Sequence, residues 1–349
     1  MARVTSIPVR QFASDNHSGI CPEAMAALRK ANHGHVHAYG DDPWTRKATR
    51  LIRDLFETDC DVFFVFNGTA ANALAIASTC QPFQSVICHE YAHLHVDECS
   101  APGFFAHGVT LAPLHGKNAK LRPSDIEKAC LARTDVHAPQ PGAVTITQAT
   151  ELGTVYSPAE MKAIGKIARK HHLMFHVDGA RFANAVASQR VAPSHLSWKA
   201  GVDVLSLGGT KNGMAMGEAL VFFNRRLAAD FGRRRKQGGQ LASKMRFSAA
   251  QWIGLVQDGA WLRHATHANR IAHFLETQLR TIRSLKIAFP RQANSVFVEM
   301  PPALVRRLHQ RGWQFYTDVG PGAARLMCSW DSTEQDVTAL VRDIKALAR

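Results

Sequence analysis

Apolar and polar positions fall into blocks along this chain, and the blocks predict a regular succession of strands and helices. Seven short apolar runs, each bounded by turn residues, read as strands: Asp61–Phe66, Ser85–His89, Val109–Pro113, Ala143–Thr147, Leu173–Val177, Val202–Leu207 and Ala219–Phe223. Helical spacing fills several of the gaps, at Thr69–Thr79, Arg122–Ala132 and Pro158–Lys170. Ser124 and Ser157 are candidate N-caps, since Glu127 and Glu160 follow three residues later in the capping-box pattern. Two helices are expected before the first strand. One is Cys21–Ala31, with Pro22 in its first turn, and the other is Trp44–Glu57, after the turn Tyr39-Gly-Asp-Asp-Pro43. Strands alternating with helices argue for an α/β fold: a mostly parallel sheet covered on both faces.

From about Arg225 the rhythm changes. Long helices run to Ser284, after which Ser295–Met300, Trp313–Val319 and Ala324–Cys328 read as strands with helices between and after them. We therefore expect a large α/β domain over residues 1–250, with an N-terminal arm over 1–20, and a smaller α+β domain over 251–349.

The chain has 349 residues, 46% of them hydrophobic, which is ample for a core of that size. No apolar run reaches the roughly 18 residues needed to span a bilayer, and the start lacks the charged-then-apolar pattern of a signal peptide. Seven scattered cysteines without a C-x-x-C pair fit reduced thiols in the cytoplasm better than a disulfide framework or a zinc site. The net charge of +14 raises the question of nucleic acid. The densest basic stretch, Arg233 to Gly239, has few interleaved aromatics and fits a solvated or subunit-contact helix face, so no nucleic-acid partner is expected.

Candidate chemistry sits just beyond the strands, where open α/β sheets bind ligands. Asp203-Val-Leu-Ser-Leu-Gly-Gly-Thr-Lys-Asn-Gly213 is a buried run ending in a glycine turn, which would hold Lys211 at the rim of the sheet. A partly desolvated lysine there can form an imine with an aldehyde. Its blander reading is a surface lysine in a loop. His176-Val-Asp-Gly-Ala-Arg181 puts Asp178 at the next rim, where a partly buried carboxylate needs a cationic partner. That partner is either Arg181 or a protonated pyridine nitrogen. Asp178 and Lys211 stand 33 positions apart on successive strand ends, suited to gripping a pyridine ring by its nitrogen and its aldehyde carbon. Gly68 and Thr69 in Asn67-Gly-Thr-Ala-Ala-Asn72 open a helix and read either as a phosphate cradle or as an ordinary glycine turn with a threonine cap. In His89-Glu-Tyr-Ala-His-Leu-His-Val-Asp-Glu98 the histidines could ligate metal, sit in the core or stack on an aromatic ligand. Stacking is favoured and no metal is expected, because no fixed ligand spacing is present. Together these positions point to pyridoxal 5'-phosphate.

The ordered set Phe12-Ala-Ser-Asp-Asn-His-Ser-Gly19, Tyr39-Gly-Asp-Asp-Pro43, Asn67-Gly-Thr-Ala-Ala-Asn72, Ala92-His93, His176-Val-Asp-Gly-Ala-Arg181, Gly208-Gly-Thr-Lys-Asn-Gly213 and Arg325-Leu-Met-Cys-Ser-Trp-Asp331 spans nearly the whole chain. It resembles the L-threonine aldolases of the aspartate-aminotransferase-like (fold type I) pyridoxal phosphate enzymes, nearest the low-specificity, phenylserine-aldolase-like branch. The resemblance implies reversible cleavage of L-3-hydroxy-α-amino acids (threonine, allo-threonine, phenylserine) to glycine and an aldehyde. Another β-eliminating lyase or an aminotransferase on the same scaffold is the alternative. It implies that Lys211 carries the cofactor, Asp178 pairs with the pyridine nitrogen, Gly68 and Thr69 hold the phosphate, and His93 stacks on the ring as a candidate for proton transfer. Arg181 would border the cofactor and, with Ser14 and Arg325, fix the substrate carboxylate. A homotetramer, as a dimer of dimers, is implied too. One departure stands out. In Ala149-Thr-Glu-Leu-Gly153, Glu151 occupies a place where many members have a histidine, so Glu151, His93 or a water between them are candidates for the base that acts on the β-hydroxyl.

Overall fold

The computed structural model describes residues 10–317 and 322–348. The first nine residues of the expected arm, and the end of the expected strand Trp313–Val319 beyond Thr317, lie outside them.

All seven predicted strands of the first part are present, with ends shifted by a few residues. They are β1 (Asp61–Val65), β2 (Gln84–His89), β3 (Thr110–Leu114), β4 (Gln140–Thr147), β5 (Met174–Gly179), β6 (Val204–Gly208) and β7 (Glu218–Phe222). They form one sheet in the order β1-β7-β6-β5-β4-β2-β3, parallel throughout except that β7 runs against both its neighbours. Helices connect and cover them: α1 (Pro22–Ala31), α2 (Pro43–Phe56), α3 (Gly68–Thr79), the short α4 (His93–Val96) and α5 (Ala101–Phe105), α6 (Pro123–Ala132), α7 (Pro158–Lys170), α8 (Phe182–Gln189), α9 (Phe231–Gln237), α10 (Arg246–Val256) and α11 (Ala260–Leu279). Helix α3 is apolar on all sides and buried from Ala71 to Ala77, as a helix wedged between a sheet and outer helices must be.

Local capping follows the sequence in one place and not in another. Ser157 and Glu160 form the expected capping box on α7, with Ser157 N–H donating to Glu160 Oε2 at 2.7 Å. Ser124 does not cap α6; Arg122 takes that position, without a side-chain bond. Pro123 explains the difference. Its fixed φ and missing N–H suit the first helical position, which moves the cap two residues earlier and leaves Ser124 inside the helix.

The smaller part has a three-stranded antiparallel sheet of β8 (Lys286–Ile287), β9 (Ser295–Glu299) and β10 (Ala324–Met327), in the order β10-β9-β8, with α12 (Pro302–Gln310) and α13 (Glu334–Leu347). The described part of Trp313–Val319 is not a ladder strand: it makes single bridges only, Gln314 to Gln11 and Tyr316 to Arg325. Sequence reading did not find the two-residue β8, which is too short to leave a periodic signal. Residue 250 falls inside α10, which packs against α1 and α2, and Trp252, Ile253, Leu255, Trp261 and Ala265 all belong to the large core. Ile271, Ala272 and Leu275 of α11 belong to the small core instead, so we place the division within α11. Phe12 also belongs to the small core. Its N–H donates to Gln314 O at 2.8 Å and its C=O accepts from Met327 N at 2.7 Å. The arm is thereby anchored in the small part before it turns towards the large sheet. No helix among the described residues is long and apolar enough to cross a membrane.

Candidate active site

Parallel register aligns the rim of the sheet. Asp178 pairs with Thr147 on β4 and with Ser206 on β6, so the three lie in one row at the carboxyl ends of adjacent strands. The chain then leaves β6 through Gly208 and Gly209 into the turn that carries Lys211. Close approach makes the first glycine necessary: a Cβ at Gly208 would stand 2.4 Å from Ala180 O.

A cavity of about 200 Å³ opens beyond this rim, and Gly68, Thr69, His93, Asp178 and Lys211 all line it. Five of the residues singled out in the sequence therefore meet at one place. At one end is the start of α3. Asn67 caps it by accepting from Ala70 N–H at 2.9 Å, and the N–H groups of Gly68 and Thr69 are left without intrahelical partners. These donors, at the positive end of the helix dipole, suit an anion.

At the floor, Asp178 is buried and accepts from Asn72 Nδ2 at 2.9 Å and from Ala180 N–H at 3.0 Å. Burial alone would raise its pKa, but His93, the Ala180 N–H, Lys211 and Asn72 outweigh that and hold the carboxyl below its usual range. Of its two candidate partners, Arg181 pairs with Asp15 instead, so this buried anion is available to a cationic ligand. Beneath it, His176 is fully buried between Thr145 Oγ1, at 2.7 Å from Nδ1, and Ser206 Oγ, at 3.0 Å from Nε2; burial pushes it down to about 4, so it is neutral. Lys211 has its pKa lowered by burial and by Arg181, with Asp15, Asp178 and Glu218 pulling the other way. An amine so placed is more readily deprotonated and more nucleophilic than a surface lysine.

His93 stands at the N-terminus of α4. Its Nδ1 lies 2.8 Å from Glu98 Oε1 and its backbone N–H donates to Glu151 Oε1 at 3.0 Å. Glu151 also accepts from Thr147 Oγ1 at 2.6 Å, while its Oε2 is buried without a partner among the described residues. Burial pushes the Glu151 carboxyl up to about 7.

The remaining predicted residues gather on the adjoining side. Arg181 forms a two-pronged pair with Asp15, Nε to Oδ2 at 2.7 Å and Nη2 to Oδ1 at 2.8 Å. Asp15 holds the Arg181 pKa above its ordinary value against the effect of burial. Arg181 Nη1 is left free by this pair. Ser14 Oγ accepts from Asn16 N–H at 3.1 Å, and Arg325 Nη2 donates to Ala13 O at 3.1 Å. Burial lowers Arg325 to about 10, and among the described residues its Nε has no partner.

Four participants were not identified from sequence. Asp15 lies inside a motif that was, but its partner is 166 residues away. Asn72 and Glu98 form a buried pair at 2.7 Å beside Asp178. Glu218, heading β7, is 7% exposed, lines the cavity and accepts from Gly209 N–H at 2.6 Å; burial lifts it to about 7. A lone acid at the head of an apolar strand was the signal available for it.

His93, Glu98 and Asp178 present ligand atoms within 4.8 Å of one another. The Asn72 amide nitrogen sits among them and donates to both carboxylates, so a cation there would meet N–H hydrogens; the set suits proton sharing better than metal.

Residues 11–302 match the family described as beta-eliminating lyase. The chain is 56% identical over 338 residues to a low specificity L-threonine aldolase from a Pseudomonas species, covering 97% of this chain and 98% of the relative. It is 56% identical over 336 residues to a protein of the same name from Pseudomonas aeruginosa, covering 96% and 97%. Among solved structures, the threonine aldolase of Leishmania major superposes with a TM-score of 0.91 at 28% identity, covering 97% of this chain and 99% of that one.

Proposed function

The chain belongs to the beta-eliminating lyase family, and from that premise we infer that it is a pyridoxal-phosphate-dependent carbon–carbon lyase. It cleaves L-3-hydroxy-α-amino acids, threonine among them, to glycine and an aldehyde. One observation carries the reading: a single cavity joins a buried anionic carboxylate, a lysine of lowered pKa and the open N-terminus of a helix.

The residues fit the cofactor on the chemistry of their donors. Asp178 is a buried anion without a salt-bridge partner among the described residues, which suits a protonated pyridine nitrogen. The free N–H groups of Gly68 and Thr69 suit a phosphate. Lys211 supplies the amine that would hold the aldehyde carbon. When bound, pyridoxal phosphate takes up the substrate's amino group and draws off the electron pair released when a bond at Cα breaks.

The chain's own part is orientation and proton handling. Arg181, fixed by Asp15, offers its free Nη1 to the substrate carboxylate; Arg325 and the Ser14 hydroxyl stand beside it. Gripping the carboxylate turns the Cα–Cβ bond to the angle from which it breaks. A base must then take the β-hydroxyl proton. Glu151, lifted to about 7 and with one oxygen unpartnered, is able to accept it near neutral pH, and His93 is the other group within the same network. With the cofactor bound, Asp178 would hold the proton on its ring nitrogen. Lys211, which lines the same cavity, would be the amine placed to return or remove a proton at Cα.

We further infer that the site is completed by a second copy in a cytoplasmic homotetramer. Phe66 and Met216, 57% and 46% exposed, border the segments that carry Asn67 and Glu218, and leaving both in water beside the site is unfavourable. Light scattering on the eluted protein tests this; a monomer overturns it.

The function is tested by incubating the purified yellow protein with threonine, allo-threonine and phenylserine. Glycine and the matching aldehyde should appear in equal amounts, and Lys211→Ala should lose both the yellow band and the products. Ammonia and a 2-oxo acid in place of glycine would assign an eliminating lyase instead.

A further inference from the structure

Behind His93 lies a buried arrangement that the reaction outlined above leaves unused. The Glu98 side chain is 0% exposed. Its Oε1 receives two groups, His93 Nδ1 at 2.8 Å and Asn72 Nδ2 at 2.7 Å. The same Asn72 nitrogen reaches Asp178 Oδ2 at 2.9 Å. An amide nitrogen carries two hydrogens, one for each carboxylate, and the amide must face this way because its oxygen would repel both acids. Asn72 is thus a strut between the acid on the sheet rim and the acid behind the histidine. Asn72 is 2% exposed and Glu98 3%, so neither bond competes with bulk water.

The placement decides the state of the imidazole. A carboxylate on Nδ1 draws a proton to that nitrogen and leaves Nε2 free. Among the described residues Nε2 has no hydrogen-bond partner, and His93 lines the cavity. The charged groups that face this ring are Glu98 from the α4–α5 connection, Glu151 on its backbone N–H, Asp178 from β5 and Lys211 from beyond β6. Of these the Glu98 bond does most to raise the pKa of His93, while Lys211 opposes it.

We propose that Glu98 is a positioning residue for His93, tied through Asn72 to Asp178, so that the ring meets the substrate with Nε2 free and its Nδ1 proton shared with Glu98. Glu98 is buried behind the residues that line the cavity and acts through the histidine. The strut adds a consequence: the protonation of His93 and the ionisation of Asp178 are joined through one amide, so the acid at the ring nitrogen and the base beside the substrate are set together. The inference rests on the proposed reaction only for what Nε2 does there; the His93–Glu98 pairing stands apart from it.

The test is a pH titration of His93 in the holoenzyme, by NMR of isotope-labelled histidine, with His93→Asn to assign the signal. Glu98→Gln should lower the His93 midpoint by about one pH unit or more, and should move the matching limb of the kcat profile by the same amount with KM little changed. Glu98→Asp should restore part of the shift. A folded Glu98→Gln protein with an unchanged His93 midpoint overturns the proposal, whatever its activity. Should Glu98→Gln fail to fold, Glu98→Asp carries the test, because a shorter acid must still lower the midpoint; no change in it overturns the proposal equally. A lowered midpoint together with a wild-type protein that yields no glycine from any of the three substrates would sink the aldolase reading and leave the pairing intact.

Discussion

Glu218 offers a test of the site's electrostatics that does not depend on turnover. It is 7% exposed, its Oε2 accepts from Gly209 N–H at 2.6 Å, and burial lifts its pKa from an ordinary 4.5 to about 7. A folded-state value above the unfolded one means that the folded protein holds this proton more tightly. The neutral acid's contribution is therefore fully present below the unfolded value and is lost as pH rises through the folded one. At roughly 1.4 kcal/mol per pH unit, the loss amounts to about 3 kcal/mol between pH 4.5 and 7, and it stays constant above. Glu218→Gln keeps an oxygen for the Gly209 N–H and cannot ionise. Its stability relative to wild type should rise steadily across that interval, by about 3 kcal/mol in total. The assay is urea unfolding of the cofactor-stripped proteins at fixed concentration and at several pH values, read as the midpoint at constant slope. A difference between the two proteins that does not change with pH would refute the reasoning, since it would mean that the carboxylate ionises as easily in the cavity as in the unfolded chain.

Two more predictions follow from the same geometry. Glu151→Gln should lower turnover by about 10²–10⁴-fold and remove the rise in rate through the carboxyl's value of about 7; an unchanged pH–rate profile would exclude Glu151 as the base. Gly165→Ala should destabilise the protein by roughly 1–3 kcal/mol while leaving the cofactor's absorbance alone, because the added Cβ would stand 1.9 Å from Ala200 O where α7 presses on the chain before β6. An unfolding midpoint at or above that of wild type would show that the backbone yields there at no cost.

Much of this protein could be read from its pattern of residues. The seven strands of the large sheet, the helices α3 and α7, and the placement of Asp178 and Lys211 on neighbouring strand ends all rest on local signals: apolar runs, glycine turns and a capping box. Such signals act over a few residues, so a sequence displays them in full. Local signals also misled. Ser124 has the right neighbour in Glu127, yet Pro123 moved the cap. Trp313–Val319 has strand-like composition, but its described residues make single bridges rather than a ladder.

Amino-acid order by itself determined the βαβ scaffold, the rim on which the chemistry sits, and the acid and the amine that face each other across it. Only the folded chain decided the partners. Arg181 pairs with Asp15, not with Asp178 three residues away, because the arm crosses from the small part to reach it. Glu98 and Asn72 became a single buried unit with His93 and Asp178, and Glu218 was turned into the cavity beside Lys211. The physical reason is the same in each case. A buried charge takes its energy from whatever the packing brings within bonding distance, and that neighbour is set by the course of distant segments through space rather than by the residues next to it in the chain.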